Sequence, residues 1–404
     1  MNNSSRTQGR IHIIGAGPVG LFLACLLQSV GEQVTLYEKR PAYTRTRMVS
    51  LAPYLIADSL DSYRTDVIDG QDVEAIFDPV ELATRMAYRH TVAADLRALL
   101  HEWSRGFVPL NTIEGRLGDL IESRGTGTVQ RVAAEIGPEQ ALEMVGPSDV
   151  VVDCTGTRAL LRDRLVPGEE LGVPGCNTSL FHLEHALVIT FLYSKHYLCD
   201  EYCKYYKNLE NARYKFIPAT KRTWYDDGVT HVTGVISISE DEFRAMPPRS
   251  DGAWLREHFP VIATSMDRFI DRMRAETDGD LVGDLDVTRI PLDVYHAWNV
   301  TSWRWFDSGI DHPLASTPAF VLGDSAIGSP YFQSISLGLE CAFHLAGHLA
   351  NRALTMSEIF DRYELYMYQQ WLRVYARSQM IKHNKDLLNV VGDTDQILSR
   401  LHVF

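Results

Sequence analysis

The stretch RIHIIGAGPVG, residues 10–20, decides how the amino-terminal part of this chain folds. Its isoleucine-rich beginning predicts a β-strand over 10–14, and the glycines at Gly15, Gly17 and Gly20 predict a tight turn. The residues after them are apolar at helical spacing. The stretch therefore predicts a strand, a glycine turn and a helix, which together begin a dinucleotide-binding βαβ unit.

Each residue of the glycine turn has a physical role in such a unit. Gly15 permits the tight turn, Gly17 lets the backbone approach a pyrophosphate, and Gly20 lets the helix pack closely on the strands. Pro18 and Val19 stand at the helix N-terminus, where free N–H groups and a partial positive charge face the phosphates. The whole turn is therefore a candidate cofactor-binding segment.

The second predicted strand ends in an acid. Gly31 predicts the end of the helix, and the apolar residues 33–37 predict a strand that leads into Glu38, 23 residues after Gly15. A carboxylate at this place accepts hydrogen bonds from ribose hydroxyls and repels a 2′-phosphate. The site is therefore expected to prefer FAD or NAD to NADP.

Basic residues follow this acid. Lys39 and Arg40 come directly after Glu38, and Arg45 and Arg47 lie in the loop beyond. An arginine can bind a diphosphate through two parallel hydrogen bonds, which makes the loop arginines candidate phosphate ligands. A solvated basic loop is the alternative.

A second glycine–acid turn occurs late in the chain. The apolar run 318–322 predicts a buried strand that ends in Gly323 and Asp324, followed by Pro330 and by a helix that begins near Gly338-Leu339. In a flavin site an acid can bind the ribityl hydroxyls, and a helix N-terminus can face the anionic side of the reduced flavin. This turn favours FAD over NAD as the tightly bound cofactor.

A third motif lies between these two turns in the sequence. The apolar run 150–152 predicts a strand that is followed directly by Asp153-Cys154-Thr155-Gly156. Together these motifs resemble those of the class A FAD-dependent monooxygenases, which have the para-hydroxybenzoate hydroxylase fold. Residues 38–53 are also locally similar to the MICAL monooxygenases. The candidate cofactor-binding residues are Gly15, Gly17, Pro18, Val19, Gly20, Glu38, Lys39, Arg40, Arg45, Arg47, Asp153, Thr155, Gly156, Gly323, Asp324, Pro330, Gly338 and Leu339.

The resemblance implies an α/β fold in which an antiparallel substrate domain is inserted into a Rossmann-like FAD-binding domain. Alternating strands such as 187–193, 214–218 and 229–238, interrupted by a helical segment over 253–274, support the insertion. The expected FAD-binding parts are 1–171 and 308–355, the substrate-binding insertion is 172–307, and 356–404 is a C-terminal helical segment.

The resemblance also implies an activity. FAD would be reduced by NADPH or NADH and react with molecular oxygen, so that an apolar or aromatic small molecule of natural-product metabolism is hydroxylated or epoxidised. Tyr295 is one of several weak acid–base candidates, and no single catalytic residue stands out from the sequence. The aromatic C-terminal segment could pack internally or form a homodimer, and a separate flavin reductase could supply electrons.

Two departures from the family pattern keep other activities open. The middle element is Asp-Cys-Thr-Gly where hydroxylases commonly have an Asp-Gly pair, and 331–337 lacks a further glycine at the flavin face. These departures favour a cyclase or isomerase that uses flavin without net redox, or a flavin-dependent reductase. Trp303-Arg304-Trp305 is similar to the Trp-x-Trp of flavin-dependent halogenases, although aromatic packing is the preferred interpretation.

Composition excludes several other classes of function. The 404 residues include 39 basic and 52 acidic ones, for a net charge of −13, so a nucleic-acid partner is not expected. No apolar run is long enough for a membrane helix, and the polar N-terminus lacks an export signal. Six cysteines without paired zinc spacing indicate reduced thiols in the cytoplasm, and His344 and His348 lack a third ligand, so no metal is expected.

Overall fold

A computed structural model describes residues 9–45, 48–49, 51, 92–104, 108–146, 148–166, 177–197, 214–222, 228–305, 316–329 and 334–400. The strands are β1 (Ile11–Ile14), β2 (Val34–Glu38), β3 (Met48–Val49), β4 (Val108–Pro109), β5 (Val129–Ala133), β6 (Val150–Asp153), β7 (Thr178–Tyr193), β8 (Ile217–Arg222), β9 (Thr230–Ile238), β10 (Arg249–Asp251), β11 (Leu281–Ala297), β12 (Thr301–Trp305), β13 (Ser316–Val321) and β14 (Ile327–Gly328). The helices are α1 (Pro18–Ser29), α2 (Ala94–Trp103), α3 (Leu110–Ser123), α4 (Pro138–Glu143), α5 (Arg162–Leu165), α6 (Glu240–Ala245), α7 (Gly252–His258), α8 (Pro260–Thr277), α9 (Ser334–Ala350) and α10 (Met356–Arg400).

The first sheet has the strand order β12-β13-β6-β1-β2-β5, and all its neighbours are parallel except β12 and β13. In the register, Ile11 pairs with Val34 on one side and with Val150 on the other. Every residue of β1 is buried, as its run of isoleucines predicts for a central parallel strand covered on both faces. Helix α1 packs against α3 and α9.

The described residues form two compact units. One comprises those within 1–104, 108–181 and 294–375 and contains the parallel sheet. The other comprises those within 182–293 and 376–404, and an antiparallel sheet of order β10-β11-β7-β9-β8 runs through it. The boundaries expected at 171/172 and 307/308 lie outside the described residues.

The second unit has its own apolar core, in which strand and helix side chains meet. Ile189 and Ile236, from the paired strands β7 and β9, are fully buried. Met266 and Phe269 from α8 belong to the same core. The alternating burial along β7 is that of a strand with one covered face.

The predicted fold class is confirmed: a parallel Rossmann-like sheet is accompanied by a separate antiparallel sheet. Some predicted elements differ in detail. The continuous helix expected over 253–274 is divided into α7 and α8, because Pro260 disfavours the helical conformation at Phe259 (φ −134°, ψ 61°). The strand expected over 214–218 is found at β8 instead.

The aromatic side chains of α10 mostly pack inward. Tyr363 and Tyr366 are fully buried, and Trp371 is 6% exposed, whereas Tyr368 is 51% exposed. The Tyr363 hydroxyl donates a hydrogen bond of 3.0 Å to the Val321 carbonyl oxygen at the end of β13. Internal packing therefore accounts for most of the aromatic residues of this segment.

Candidate functional site

The glycine turn between β1 and α1 is as tight as its sequence predicts. Gly15 has a φ of 104°, and a Cβ atom there would lie 2.4 Å from the Cys154 carbonyl oxygen, so only glycine fits. A Cβ atom at Gly20 would lie 2.0 Å from the Gly15 carbonyl oxygen. No side chain caps α1 at its N-cap residue, Gly17. Pro18 has no N–H and the Leu21 N–H donates to the Gly17 carbonyl oxygen, so Val19 and Gly20 carry the N–H groups of the first turn that can face an anionic ligand.

Glu38 lies at the end of β2 with its carboxylate held by Arg40. The Arg40 backbone N–H and Nε each donate to Oε1 at 2.9 Å, and Nη2 donates to Oε2 at 2.9 Å. Burial acts to raise the pKa of Glu38, but the hydrogen bonds from Arg40 and the Ala16 backbone outweigh it and leave the pKa below its ordinary value. Glu38 is therefore an ionised acceptor, as binding a ribose requires.

Arg45 brings a second positive charge to the glycine turn. A Cβ atom at Gly17 would lie 3.6 Å from Arg45 Nη2, so the guanidinium lies beside the start of α1. The same nitrogen forms an ion pair with Glu114 of α3, whose side chain is fully buried. Lys39 is also paired, since its Nζ lies 2.6 Å from Glu135 Oε1.

Asp153 ties the middle element to the late turn. Its Oδ1 accepts hydrogen bonds from the Thr155 backbone N–H (2.8 Å) and hydroxyl (2.7 Å), and from the Ser325 hydroxyl (3.2 Å). Ser325 Oγ also accepts from the Gly156 N–H at 3.0 Å. Burial raises the pKa of Asp153 although these hydrogen bonds oppose it. The Asp153 side chain therefore organises two turns and is not exposed to a ligand.

Tyr295, near the end of β11, also holds the late turn in place. The Tyr295 hydroxyl donates a hydrogen bond of 2.6 Å to the Asp324 carbonyl oxygen, and its ring covers Gly328, where a Cβ atom would lie 1.9 Å from it. Burial, and then the charge of Asp324, raise the pKa of Tyr295. Arg162 Nη1 donates to the Ser325 carbonyl oxygen at 3.0 Å. The structure thus gives this tyrosine, a weak acid–base candidate from the sequence, a structural role.

These segments line one cavity of about 520 Å³, within the size range of cofactor sites. The predicted cofactor-binding residues among its lining are Gly15, Gly17, Pro18, Val19, Glu38, Lys39, Arg40, Arg45, Thr155, Gly156, Gly323 and Asp324. The amino-terminal glycine turn at Gly15–Gly20 and the late glycine–acid turn at Gly323, more than 300 residues later in the chain, thus meet at one site.

Other predicted residues do not line this cavity. Gly20, Asp153, Gly338 and Leu339 are buried and are not part of its lining. A Cβ atom at Gly338 would lie 2.6 Å from Val19 Cγ2, so this glycine lets α9 approach the start of α1. Arg47 and Pro330 lie outside the described residues. As cofactor-binding residues, all of these stay predictions.

Several residues of the site were missed by the sequence analysis. Glu114 had a signal, because it lies at an apolar position of the α3 pattern formed by Leu110, Ile113 and Leu117. Glu114 lies behind Arg45 and is not part of the lining, whereas Arg158 and a segment at 134–136 that follows β5 line the cavity. Neither Arg158 nor this segment had a sequence signal, since the cavity is formed by segments distant in the chain.

The histidine pair that the sequence singled out is part of the core. His344 and His348 are fully buried, and the His344 ring stacks on Tyr366 with 3.7 Å between centroids. Among the described residues, no group of three or more histidine, cysteine, aspartate or glutamate side chains could hold a metal ion. Cys199 and Cys203 and the side chains of 303–305 are not described.

A search of the described helices finds none with the length and apolar character needed to cross a bilayer.

Comparisons with known proteins agree with this geometry. Residues 13–44 match the family of NAD(P)-binding Rossmann-like domains. No curated protein sequence matches the chain. Among solved structures, the flavin-dependent brominase Bmp2 is 11% identical, with 96% of this chain and 94% of Bmp2 covered and a TM-score of 0.51. A mutant of PqsL from P. aeruginosa is 17% identical, with 98% and 100% covered and a TM-score of 0.50.

A third structure, the anhydrotetracycline hydroxylase OxyS from Streptomyces rimosus, is 15% identical, with 98% of this chain and 71% of OxyS covered and a TM-score of 0.49. The fold shared with Bmp2 and PqsL confirms the predicted resemblance at the level of architecture. The segment 13–44 thus matches NAD(P)-binding Rossmann-like domains and lies within a para-hydroxybenzoate hydroxylase-like fold.

Proposed function

We propose that this protein is an FAD-dependent monooxygenase that hydroxylates or epoxidises an apolar or aromatic small molecule of natural-product metabolism. The observation that carries the proposal is the single cavity that joins the dinucleotide turn to the second acidic turn at Gly323 and Asp324. An NAD site requires only the first of these, whereas FAD has a ribityl chain and a ring system for the second to bind.

The residues of the cavity fit FAD in their chemistry. Glu38 would accept hydrogen bonds from the adenosine ribose, while Arg45 and the first turn of α1 would bind the diphosphate. Asp324 would accept hydrogen bonds from the ribityl hydroxyls. When bound, the flavin supplies the redox chemistry, with electrons from NADPH or NADH and molecular oxygen as the oxidant.

The protein's own contribution is to bind and orient. Hydrogen bonds made by Tyr295, Ser325 and Arg162 hold the backbone of the late turn in place, and with it the position from which Asp324 faces the cavity. Such preset polar groups reduce the ordering that must accompany binding.

A cyclase or isomerase that uses flavin without net redox is the second candidate. In the hydroxylases the Asp-Gly pair at this place helps to bind FAD and NADPH, but the side chain of Asp153 is 0% exposed and so cannot contact NADPH. This burial favours an activity that does not need the nicotinamide. The same burial would also fit a monooxygenase that receives its electrons from a separate flavin reductase.

Anaerobic reduction of the purified protein tests the proposal. The monooxygenase should purify with FAD or load with it, lose its flavin absorbance on addition of NADPH, NADH or free reduced flavin, and regain it with air. With substrate, oxygen should be consumed and the product should gain one oxygen atom. Protein that cannot be loaded with FAD contradicts the proposal, and turnover without oxygen or nicotinamide selects the cyclase or isomerase.

A further inference from the structure

Glu114 is an unusual residue for the face of α3 on which it lies. Its side chain is 0% exposed, and the buried residues on either side of it are Ile113 and Leu117. Its Oε1 is paired with Arg45 Nη2 and lies 3.4 Å from Arg40 Nη2, whereas within the described residues its Oε2 has no hydrogen-bond partner. A buried carboxylate is costly unless its partners compensate for lost hydration, so this position calls for a reason beyond packing.

The reason lies in where Glu114 holds Arg45. The Arg45 carbonyl oxygen accepts a hydrogen bond of 2.9 Å from the N–H of Asn111, in the first turn of α3. Helix α3 therefore fixes this arginine twice, through its backbone and through its guanidinium. The guanidinium lies beside Gly17 and lines the cavity, and the Arg45 side chain is still 45% exposed.

One guanidinium can bind Glu114 and a ligand at the same time. It carries five N–H donors in a planar fork, and the hydrogen bond to Glu114 uses one of the two on Nη2. The remaining donors can serve a ligand beside the N-terminus of α1, where an anion is most favoured. The geometry is that of an arginine oriented in advance for a phosphate group.

We propose that Glu114 is the positioning residue that fixes Arg45 over the glycine turn and so presets it for the diphosphate of the cofactor. This inference rests on the proposed function in taking FAD as the ligand. Glu114 acts through Arg45 and does not touch the cofactor itself. Its effect on binding should therefore exist only while Arg45 is present.

A double-mutant cycle on FAD binding by the apoprotein tests this coupling. Glu114→Gln should weaken FAD about tenfold, the loss of roughly one well-placed charge-assisted contact. In an Arg45→Ala background the same substitution should change the affinity less than about twofold. Glu122→Gln is the matched control, because it removes the same charge from the exposed part of α3, where Glu122 pairs with Arg131. It should leave FAD affinity unchanged.

Thermal melts of the apoproteins show which variants are folded. If Glu114→Gln does not fold, Glu114→Asp keeps the charge but shortens the side chain, and it should also weaken FAD only in the presence of Arg45. Equal losses in both backgrounds, or unchanged affinity in the single variant, overturn the inference. If the wild-type protein binds NADH or ADP-ribose but not FAD, the proposed function fails, while the same cycle with that ligand still decides the role of Glu114. Binding of none of the three ligands overturns both.

Discussion

Glu38 shows at the scale of one residue how a sequence motif becomes a binding group. Its carboxylate is 14% exposed, and the hydrogen bonds from Arg40 orient it and keep it ionised against the opposing effect of burial. It remains part of the cavity lining, and a carboxylate has lone pairs for further donors.

Replacement of Glu38 by alanine should weaken FAD binding by roughly ten- to a hundredfold. The loss corresponds to a charge-assisted hydrogen bond of about 1.5–3 kcal/mol to the ribose. Titration of the apoprotein with FAD, followed by flavin fluorescence, measures it. Glu122→Ala serves as the control for the lost charge, because Glu122 is 67% exposed and lies outside the cavity lining. A Glu38→Ala variant that binds FAD as tightly as the control contradicts the ribose assignment.

The residues that sequence analysis found and missed differ in how local their signal is. Gly15 and Glu38 belong to one motif with a fixed spacing, so their roles could be predicted from the sequence. Glu114 acts on Arg45, 69 positions away, and Ser325 acts on Asp153, 172 positions away. No pattern in a single sequence contains such pairings, because they are formed only when the chain folds.

At the scale of elements, the site depends on how two strand-ending turns are joined. Ser325 is fully buried between the turn after β6 and the turn after β13. Its hydroxyl accepts from the Gly156 N–H at 3.0 Å and lies 3.2 Å from both Asp153 Oδ1 and the Gly156 carbonyl oxygen. The two walls of the cavity are thus connected by one side chain.

Ser325→Ala should therefore destabilise the protein and loosen the site together. The partly buried Gly156 N–H loses its acceptor and the buried Asp153 Oδ1 loses a donor, which together cost about 1–3 kcal/mol. Each kcal/mol lowers the melting temperature by roughly 2–4 °C in a domain of 150–250 residues. Calorimetry of the apoprotein and an FAD titration measure the two effects. Ser123→Ala, on the exposed end of α3, should change neither. An unaltered melting temperature in the Ser325 variant would show that the two turns are not joined through it.

Elements with a strong periodic pattern were predictable, and those shaped by distant partners were not. The residues of β1 and α1 carry continuous apolar signals flanked by glycine. By contrast, β11 was not among the predicted strands, because Gly283 and Pro291 interrupt its sequence, although apolar residues alternate with Asp284 and Asp286 in its first half. Its identity as a strand comes from pairing with β10 and β14, which local sequence does not reveal.

At the scale of the whole molecule, two buried histidines couple stability to pH. His12 in β1 is 5% exposed, and its ring nitrogens lie 3.0 Å from the Tyr37 hydroxyl and 3.3 Å from Asp149 Oδ2. His296 is 3% exposed and stacks on Trp371 with 4.2 Å between centroids. Burial lowers the pKa of each histidine below the ordinary value of 6.5, although Asp149 and the Ala297 carbonyl oxygen act in the opposite direction.

Stability should therefore fall as the pH is lowered below 6.5. In that range the unfolded chain takes up protons on both histidines while the folded protein does not, so protonation favours unfolding. Above pH 6.5 both states are neutral at these sites, and the contribution disappears. The raised pKa of buried Asp153 has the opposite effect on stability, because the folded state binds this proton more readily than the unfolded chain as the pH falls. The test must therefore compare variants with the wild type at each pH.

The comparison is a series of melting temperatures from pH 7.5 to 5.5 for the wild type and for the double variant His12→Gln/His296→Gln. The double variant should melt at a lower temperature than the wild type at pH 7.5, because both histidine rings have buried contacts. Below pH 6.5 the difference between the two melting temperatures should narrow steadily, because protonation of the two histidines in the unfolded chain destabilises only the wild type. His101→Gln, on the exposed side of α2, should follow the wild type throughout. A constant gap between wild type and double variant would show that neither buried histidine resists protonation in the folded protein.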